Sequence, residues 1–187
     1  MKRKDAVKTI AAGLTGAAFL PKPLSAMEPN QPLSLKGNIN HSVCQWCYGD
    51  IPLEQLCVAA KEMGIKSIDL LGPKEWATAS KHGLTCAMAY ASDVPLIKGF
   101  NDPSLHEKLL KDYSENIPKA AEAGLNNVIC FSGNTNGLTA AQGIENCARG
   151  LEPVLKIAAR YKVTVTMELL NSRVDHHDYQ CDHTAWG

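Results

Sequence analysis

The sequence predicts an α/β fold built from repeated strand–helix units, and three observations carry that prediction. From His41 onwards, short runs rich in β-branched and apolar residues alternate with longer runs whose apolar residues recur every three or four positions. A helix end, a turn and a strand recur as a weak internal repeat. Ala59–Ile68 (AAKEMGIKSI) is echoed by Ala120–Ile129 (AAEAGLNNVI) and more loosely by Ile157–Val163. The stretch Val163–Arg173 (VTVTMELLNSR) alternates as a strand and ends in an acid, Glu168, with Asn171 and Arg173 close behind. Units of this kind build parallel strands joined by helical crossovers. They close into a barrel or lie open as a doubly wound sheet, and the residues leave both open.

Taken in order, His41–Tyr48 is expected as the first strand, closed by Gly49-Asp50. Asp50 is placed to cap a helix with Pro52 in its first turn. Leu53, Leu56, Cys57, Ala60 and Met63 fall on one face of that helix, which Gly64 ends. Ile65–Leu71 is the second strand, broken by Gly72-Pro73. A short helix near Lys74–Lys81 stops at Gly83, and Leu84–Tyr90 is the third strand. After a loop, Asp102-Pro103 opens a helix in the order cap, then proline. Leu105, Leu109, Tyr113, Ile117 and Ala121 step along it by four, Pro118 is expected to kink it, and Gly124 ends it. Asn127–Phe131 is the fourth strand. Thr139 and Gln142 match a capping box for a helix running to about Arg160, disturbed at Pro153. The Val163 strand is the fifth.

Composition narrows the function. The 187 residues suit one domain, the 45% hydrophobic fraction is ordinary for a globular core, and the formal net charge is +0. A balanced charge without a long basic run inside the body argues against a nucleic-acid partner. The seven cysteines sit mostly among apolar residues, as buried small hydrophobes rather than a disulfide framework. Residues 1–26 have the anatomy of an export signal: Met1-Lys2-Arg3-Lys4, a mild apolar run Thr9–Leu20, and Leu24-Ser25-Ala26. It is too short for a stable membrane span. Arg3-Lys4 gives it a twin-arginine-like cast beside the general secretory alternative, and either route leads to the periplasm. A disordered basic end on a cytoplasmic protein is the other reading. Residues 27–40, rich in Pro, Gly and Asn, read as a linker, which leaves 41–187 as the folded body.

With Glu168 at a strand end and the repeat in hand, His41–Gly187 resembles the hydroxypyruvate isomerase group of the sugar isomerase/epimerase superfamily. The resemblance is carried by Ser67–Pro73, Ala120–Gly133 and Met167–Gly187. It implies a xylose isomerase-like (β/α)8 TIM barrel, of which this chain holds about the first five units. Where family members commonly have E-P-I-N-x-R, this chain has Glu168-Leu169-Leu170-Asn171-Ser172-Arg173, with Leu169 in place of Pro. The match implies that Glu168 is a metal ligand and one of two acid/base carboxylates, that Asn171 shapes the site and that Arg173 lies near the substrate. The implied enzyme is an isomerase or epimerase of a small hydroxy-carbonyl or sugar compound. A carboxylate moves the proton, and Mg²⁺ or Mn²⁺ steadies an enediolate. A full barrel takes roughly 250 residues, so the chain is expected to be a fragment, with further ligands and a second carboxylate on later strands. The alternatives are a non-catalytic exported sugar-binding barrel and a small doubly wound domain.

Other clusters carry less. Cys44-Gln-Trp-Cys47 has redox or half-zinc spacing without a second pair. His176, His177, Cys181 and His183 crowd the loop after Arg173 without a standard zinc spacing. That loop is expected to fold over the barrel mouth, where its members meet substrate or the partner subunit of a homo-oligomer. Trp46, at the end of the first strand, is a candidate apolar wall for a small substrate or else a core side chain. Asp69 and His82 receive no role.

Overall fold

The computed structural model describes residues 37–187. The expected leader, 1–26, and most of the 27–40 linker lie outside the described residues. In chain order the elements are β1 (Ser42–Cys44), a 3-10 turn (Gln45–Tyr48), α1 (Leu53–Glu62), β2 (Ser67–Asp69), α2 (Trp76–Lys81) and β3 (Ala89–Tyr90). A second 3-10 turn (Pro103–Leu105), α3 (His106–Glu122), β4 (Asn127–Cys130), α4 (Ala140–Tyr161) and β5 (Thr164–Met167) follow.

All five strands run parallel, each beside its neighbour in sequence. Val43 faces Ile68 across β1 and β2. Ala89 faces Val128 across β3 and β4, and Val128 faces Val165 across β4 and β5. The β2–β3 seam is thinner. It is carried by the bridges Ser67–Thr85 and Leu71–Ala89, by Leu70 N–H donating to Met88 O (2.8 Å) and by Tyr90 N–H donating to Leu71 O (2.9 Å). The strand order 1-2-3-4-5 decides between the two architectures that the repeat left open. A doubly wound sheet reverses its order at a switch point, and no reversal occurs among the described residues. The small doubly wound alternative is therefore not what forms; the sheet advances one unit at a time, as a barrel wall does.

The repeat has a physical basis in its helix ends. Ile65 N–H donates to Ala60 O, Leu84 N–H to Ala79 O, Leu125 N–H to Ala120 O and Val163 N–H to Ala158 O. This is one hydrogen-bonded stop used four times, and it requires a left-handed residue just before the donor. Gly64, Gly83 and Gly124 supply it at φ 78°, 68° and 74°, but the fourth position is Lys162 at φ 57°. The apolar residues after each stop enter the core, where Ile68, Leu71, Ile117, Val128 and Val154 are fully buried.

Several expectations need correction. β1 ends at Cys44, because Gln45–Tyr48 coils into a 3-10 turn. Asp50 caps nothing; Pro52 itself stands before the first turn of α1, without a side-chain cap. Met63, expected on the buried face of α1, is 59% exposed because it follows the last turn. Asp102 does accept from Ser104 N–H (3.0 Å), but it caps the short 3-10 turn, and α3 starts only at His106. α3 and α4 continue through Pro118 and Pro153. Buried neighbours hold them there, Ile117 and Ala120 in α3 and Val154 in α4. The capping box at Thr139 and Gln142 forms as expected.

Candidate active site

The C-terminal ends of the strands gather at one side of the sheet, where Gln45, Leu71, Ala91, Phe131 and Glu168 each follow a strand or its last bridge. In barrels this is the side on which chemistry collects. A cleft of about 990 Å³ opens here between the ends of β1 to β4, lined by Gln45, Leu70, Lys74, Tyr90, Ser92 and Phe131 among others. Leu70 holds a left-handed φ of 62°, unusual for a branched side chain, directly after β2.

Glu168 follows β5 at once and is half-buried. Its N–H donates to Cys130 O (3.1 Å), which continues the β4–β5 ladder by one bond. Burial holds its carboxyl above the ordinary glutamate range, while nearby His176 pulls it back down. Its charge in turn reaches the other strand ends. The Tyr90 phenol is pushed up by burial and then by Glu168 and Cys44. Tyr90 lines the cleft, and Glu168 does not.

Asn171 and Arg173 are both exposed on the loop after β5. Asn171 organises that loop: its Oδ1 accepts from Arg173 N–H (2.9 Å), and its carbonyl accepts from the N–H groups of Asp175 (3.3 Å) and His176 (3.0 Å). Both residues line a smaller hollow with Asp182 and His183, apart from the main cleft. Trp46 sits on the 3-10 turn and is 66% exposed, so it is not a core tryptophan; its neighbour Gln45 lines the cleft in its stead.

Among the described residues no three His, Cys, Asp or Glu side chains come together to hold a metal ion. Glu168 offers one oxygen ligand, which is too few for Mg²⁺ or Mn²⁺. The crowded loop separates its own candidates. His176 lies edge-on to Tyr179, His177 meets Ser172 O (2.8 Å), His183 pairs with Asp182, and Cys181 is buried. The loop packs against the turn after β4: Gln180 N–H donates to Gly133 O (3.0 Å) and Thr135 N–H to Asp178 O (2.6 Å).

All seven cysteines are free. The Cys44 thiol is pushed up by burial and then by Cys47, Asp69 and Glu168, the reverse of an activated thiolate. Burial also raises Cys86 to about 11 and Cys147 to about 12.

Two residues without a role in the sequence have structural ones. Asp69 Oδ1 accepts from the N–H groups of Ala87 (2.8 Å) and Met88 (3.1 Å), tying the end of β2 to the chain entering β3. His82 and Lys81 both pair with Glu54, joining α2 to α1 at the surface. Sequence reasoning passed over Tyr90 and Phe131 at the site, although their places at strand ends were the signal.

No family model matches the chain, and no curated protein matches it. Solved structures do. The chain is similar to an AP endonuclease, family 2, from Brucella melitensis, with 16% identity and a TM-score of 0.63, over 76% of this chain and 59% of that one. A 3-keto-D-glucoside 4-epimerase from E. coli aligns at 16% identity and TM-score 0.56, over 75% of this chain and 57% of that one. A D-psicose 3-epimerase from Clostridium cellulolyticum H10, solved with D-tagatose, aligns at 13% identity and TM-score 0.55, over 74% of this chain and 55% of that one. The fold is therefore that of a TIM barrel, of which the described residues hold five strands and the four helices between them. The chain spans a little over half the length of the three structures named here.

Proposed function

We propose that this chain carries the first five β/α units of an enzyme that isomerises or epimerises a small hydroxy-carbonyl or sugar substrate, with Glu168 as a carboxylate that moves the proton. The observation that carries this reading is the setting of Glu168: a half-buried acid at the C-terminal end of β5, its carboxyl raised by loss of water. A general base works best with its pKa lifted toward the operating pH. The two epimerases among the similar structures support a sugar substrate. The endonuclease among them is a reminder that one fold hosts several chemistries. A net charge of +0 favours a small molecule over a nucleic acid.

In this reading Glu168 takes a proton from the carbon beside the substrate carbonyl. Returning it to the neighbouring carbon, while the hydroxyl proton passes to the former carbonyl oxygen, isomerises the substrate. A proton delivered from water to the opposite face of the same carbon epimerises it, and Glu168 then gives up the proton it took. Asn171 shapes the loop that carries Arg173, whose guanidinium is available to substrate oxygens. Trp46 offers an apolar face on the turn after β1. The finer assignment, hydroxypyruvate isomerase-like, rests on the segments Ser67–Pro73, Ala120–Gly133 and Met167–Gly187. The described residues do not by themselves fit a divalent metal, and Glu168 would be one oxygen ligand. The composition of residues 1–26 supports export to the periplasm.

The test is proton exchange. The protein is incubated in D₂O with hydroxypyruvate or a ketohexose, with and without Mn²⁺, and loss of the substrate C–H signal is followed by NMR. Exchange that Glu168→Gln abolishes supports the enzyme. Saturable sugar binding without exchange supports instead a non-catalytic binding barrel.

A further inference from the structure

Parallel strands exchange bonds in a fixed alternation. Once Glu168 N–H has donated to Cys130 O (3.1 Å), the next rung of the β4–β5 ladder is Ser132 N–H to Glu168 O. That rung is not made. Ser132 N–H donates instead to the Tyr179 hydroxyl (3.1 Å), and the hydroxyl donates onward to Glu168 O (3.3 Å). One phenol oxygen therefore stands in the ladder where the strands part, directly beside the candidate base.

Tyr179 is held there firmly. It is 2% exposed. The residues after it are bonded to both strand ends: Gln180 N–H donates to Gly133 O (3.0 Å), Cys181 N–H to Ser132 Oγ (3.0 Å), and Cys181 O accepts from Leu170 N–H (3.1 Å). Burial raises the phenol to about 12, so it keeps the proton that it donates. The charged and titratable groups that bear on the Tyr179 hydroxyl are Cys181 and Glu168, and His176 bears on Glu168; Glu168 in turn acts on Tyr90 from β3 and Cys44 from β1.

We infer that Tyr179 is the positioning residue of this site: its hydroxyl, inserted as the rung between β4 and β5, fixes the backbone of Glu168 and with it the direction in which the carboxylate leaves the strand. The inference rests on Glu168 as the proton-moving group. It assigns Tyr179 no contact with substrate.

Tyr179→Phe keeps the ring and removes the rung. Three-bond couplings of Glu168 report its χ1, and in the wild type one rotamer should dominate. In Tyr179→Phe the couplings should average, and kcat for proton exchange should fall about 10- to 100-fold with KM within about two-fold, the cost of a displaced group. Thr135→Val is the control. It loosens the same loop at Asp178 without touching the hydroxyl, so it should lower Tm and leave the Glu168 rotamer alone. A folded Tyr179→Phe with unchanged couplings and unchanged kcat overturns the inference and leaves Tyr179 a loop staple. Should that variant not fold, amide exchange in the wild type decides. Ser132 N–H exchanging as slowly as Glu168 N–H supports the inserted rung, and fast exchange overturns it. Neither the couplings nor the amide exchange needs a substrate. A wild type without proton exchange would sink the proposed reaction while Tyr179 is still judged by those two.

Discussion

Glu168 costs the fold something, and that cost is measurable. Its carboxyl is raised in the folded state by burial, so the folded chain binds that proton more tightly than the unfolded chain does. Stability then falls as pH rises from the unfolded pKa through the folded one, and it stays lower above both. Glu168→Gln removes this penalty. At pH 7 the variant should melt at a higher temperature than the wild type, and the difference should vanish below the ordinary glutamate pKa. The same variant should lose about 10²- to 10⁴-fold in proton exchange, the usual contribution of a positioned base. A lower Tm at pH 7 would mean that Glu168 is stabilising where it stands. The thiols give a second prediction. Cys47 is exposed and Cys44 half-covered, while Cys57, Cys86, Cys130, Cys147 and Cys181 are buried. At pH 8 a thiol reagent should therefore label Cys47 first, and the five buried cysteines only after denaturant is added. Cys47 was visible in the sequence only as half of a spaced pair. Its exposure follows from a turn that replaces the expected strand end.

The helix stops explain why the repeat was legible and why its third copy was faint. The stop needs a residue that tolerates a left-handed backbone, and Gly64 and Gly124 announce it. Lys162 takes the same conformation at φ 57° without that freedom, so the copy lacks its marker. Left-handed backbone costs a side-chain-bearing residue roughly 1–2 kcal/mol, part of which glycine gives back through its freer unfolded chain. Lys162→Gly should therefore stabilise the protein by roughly 0.5–1 kcal/mol in urea titrations. Destabilisation would show that Lys162 makes contacts worth more than the strain. The helix faces give a paired test. Ile117 is fully buried on α3, whereas Leu155 on α4 is 47% exposed. Ile117→Ala should cost about 2–5 kcal/mol and Leu155→Ala no more than about 0.5 kcal/mol, read from the same titrations.

Among the described residues the five-stranded wall has two free edges. β1 is paired only with β2, and β5 only with β4. Parallel edges with unpaired backbone groups recruit other chains. The 187-residue chain on its own should therefore elute larger than a monomer in size-exclusion chromatography; a monodisperse monomer would mean that these edges are covered. Much of this wall was legible beforehand. The alternation of strand and helix, the helix stops and the acid closing the fifth strand are local patterns, written in periodicities of two and 3.6 residues and in glycines whose backbone needs are local. Sequence alone determined the units, their order and Glu168 as the residue to watch. Whether those units form a barrel wall or a doubly wound sheet was decided only by the pairing of β2 with β3 and β4 with β5, because strand order is a relation between segments far apart in the chain. The same holds for the hydroxyl of Tyr179. Nothing near position 179 says that its ring will reach the gap between Ser132 and Glu168, since that gap exists only once β4, β5 and the loop have packed together.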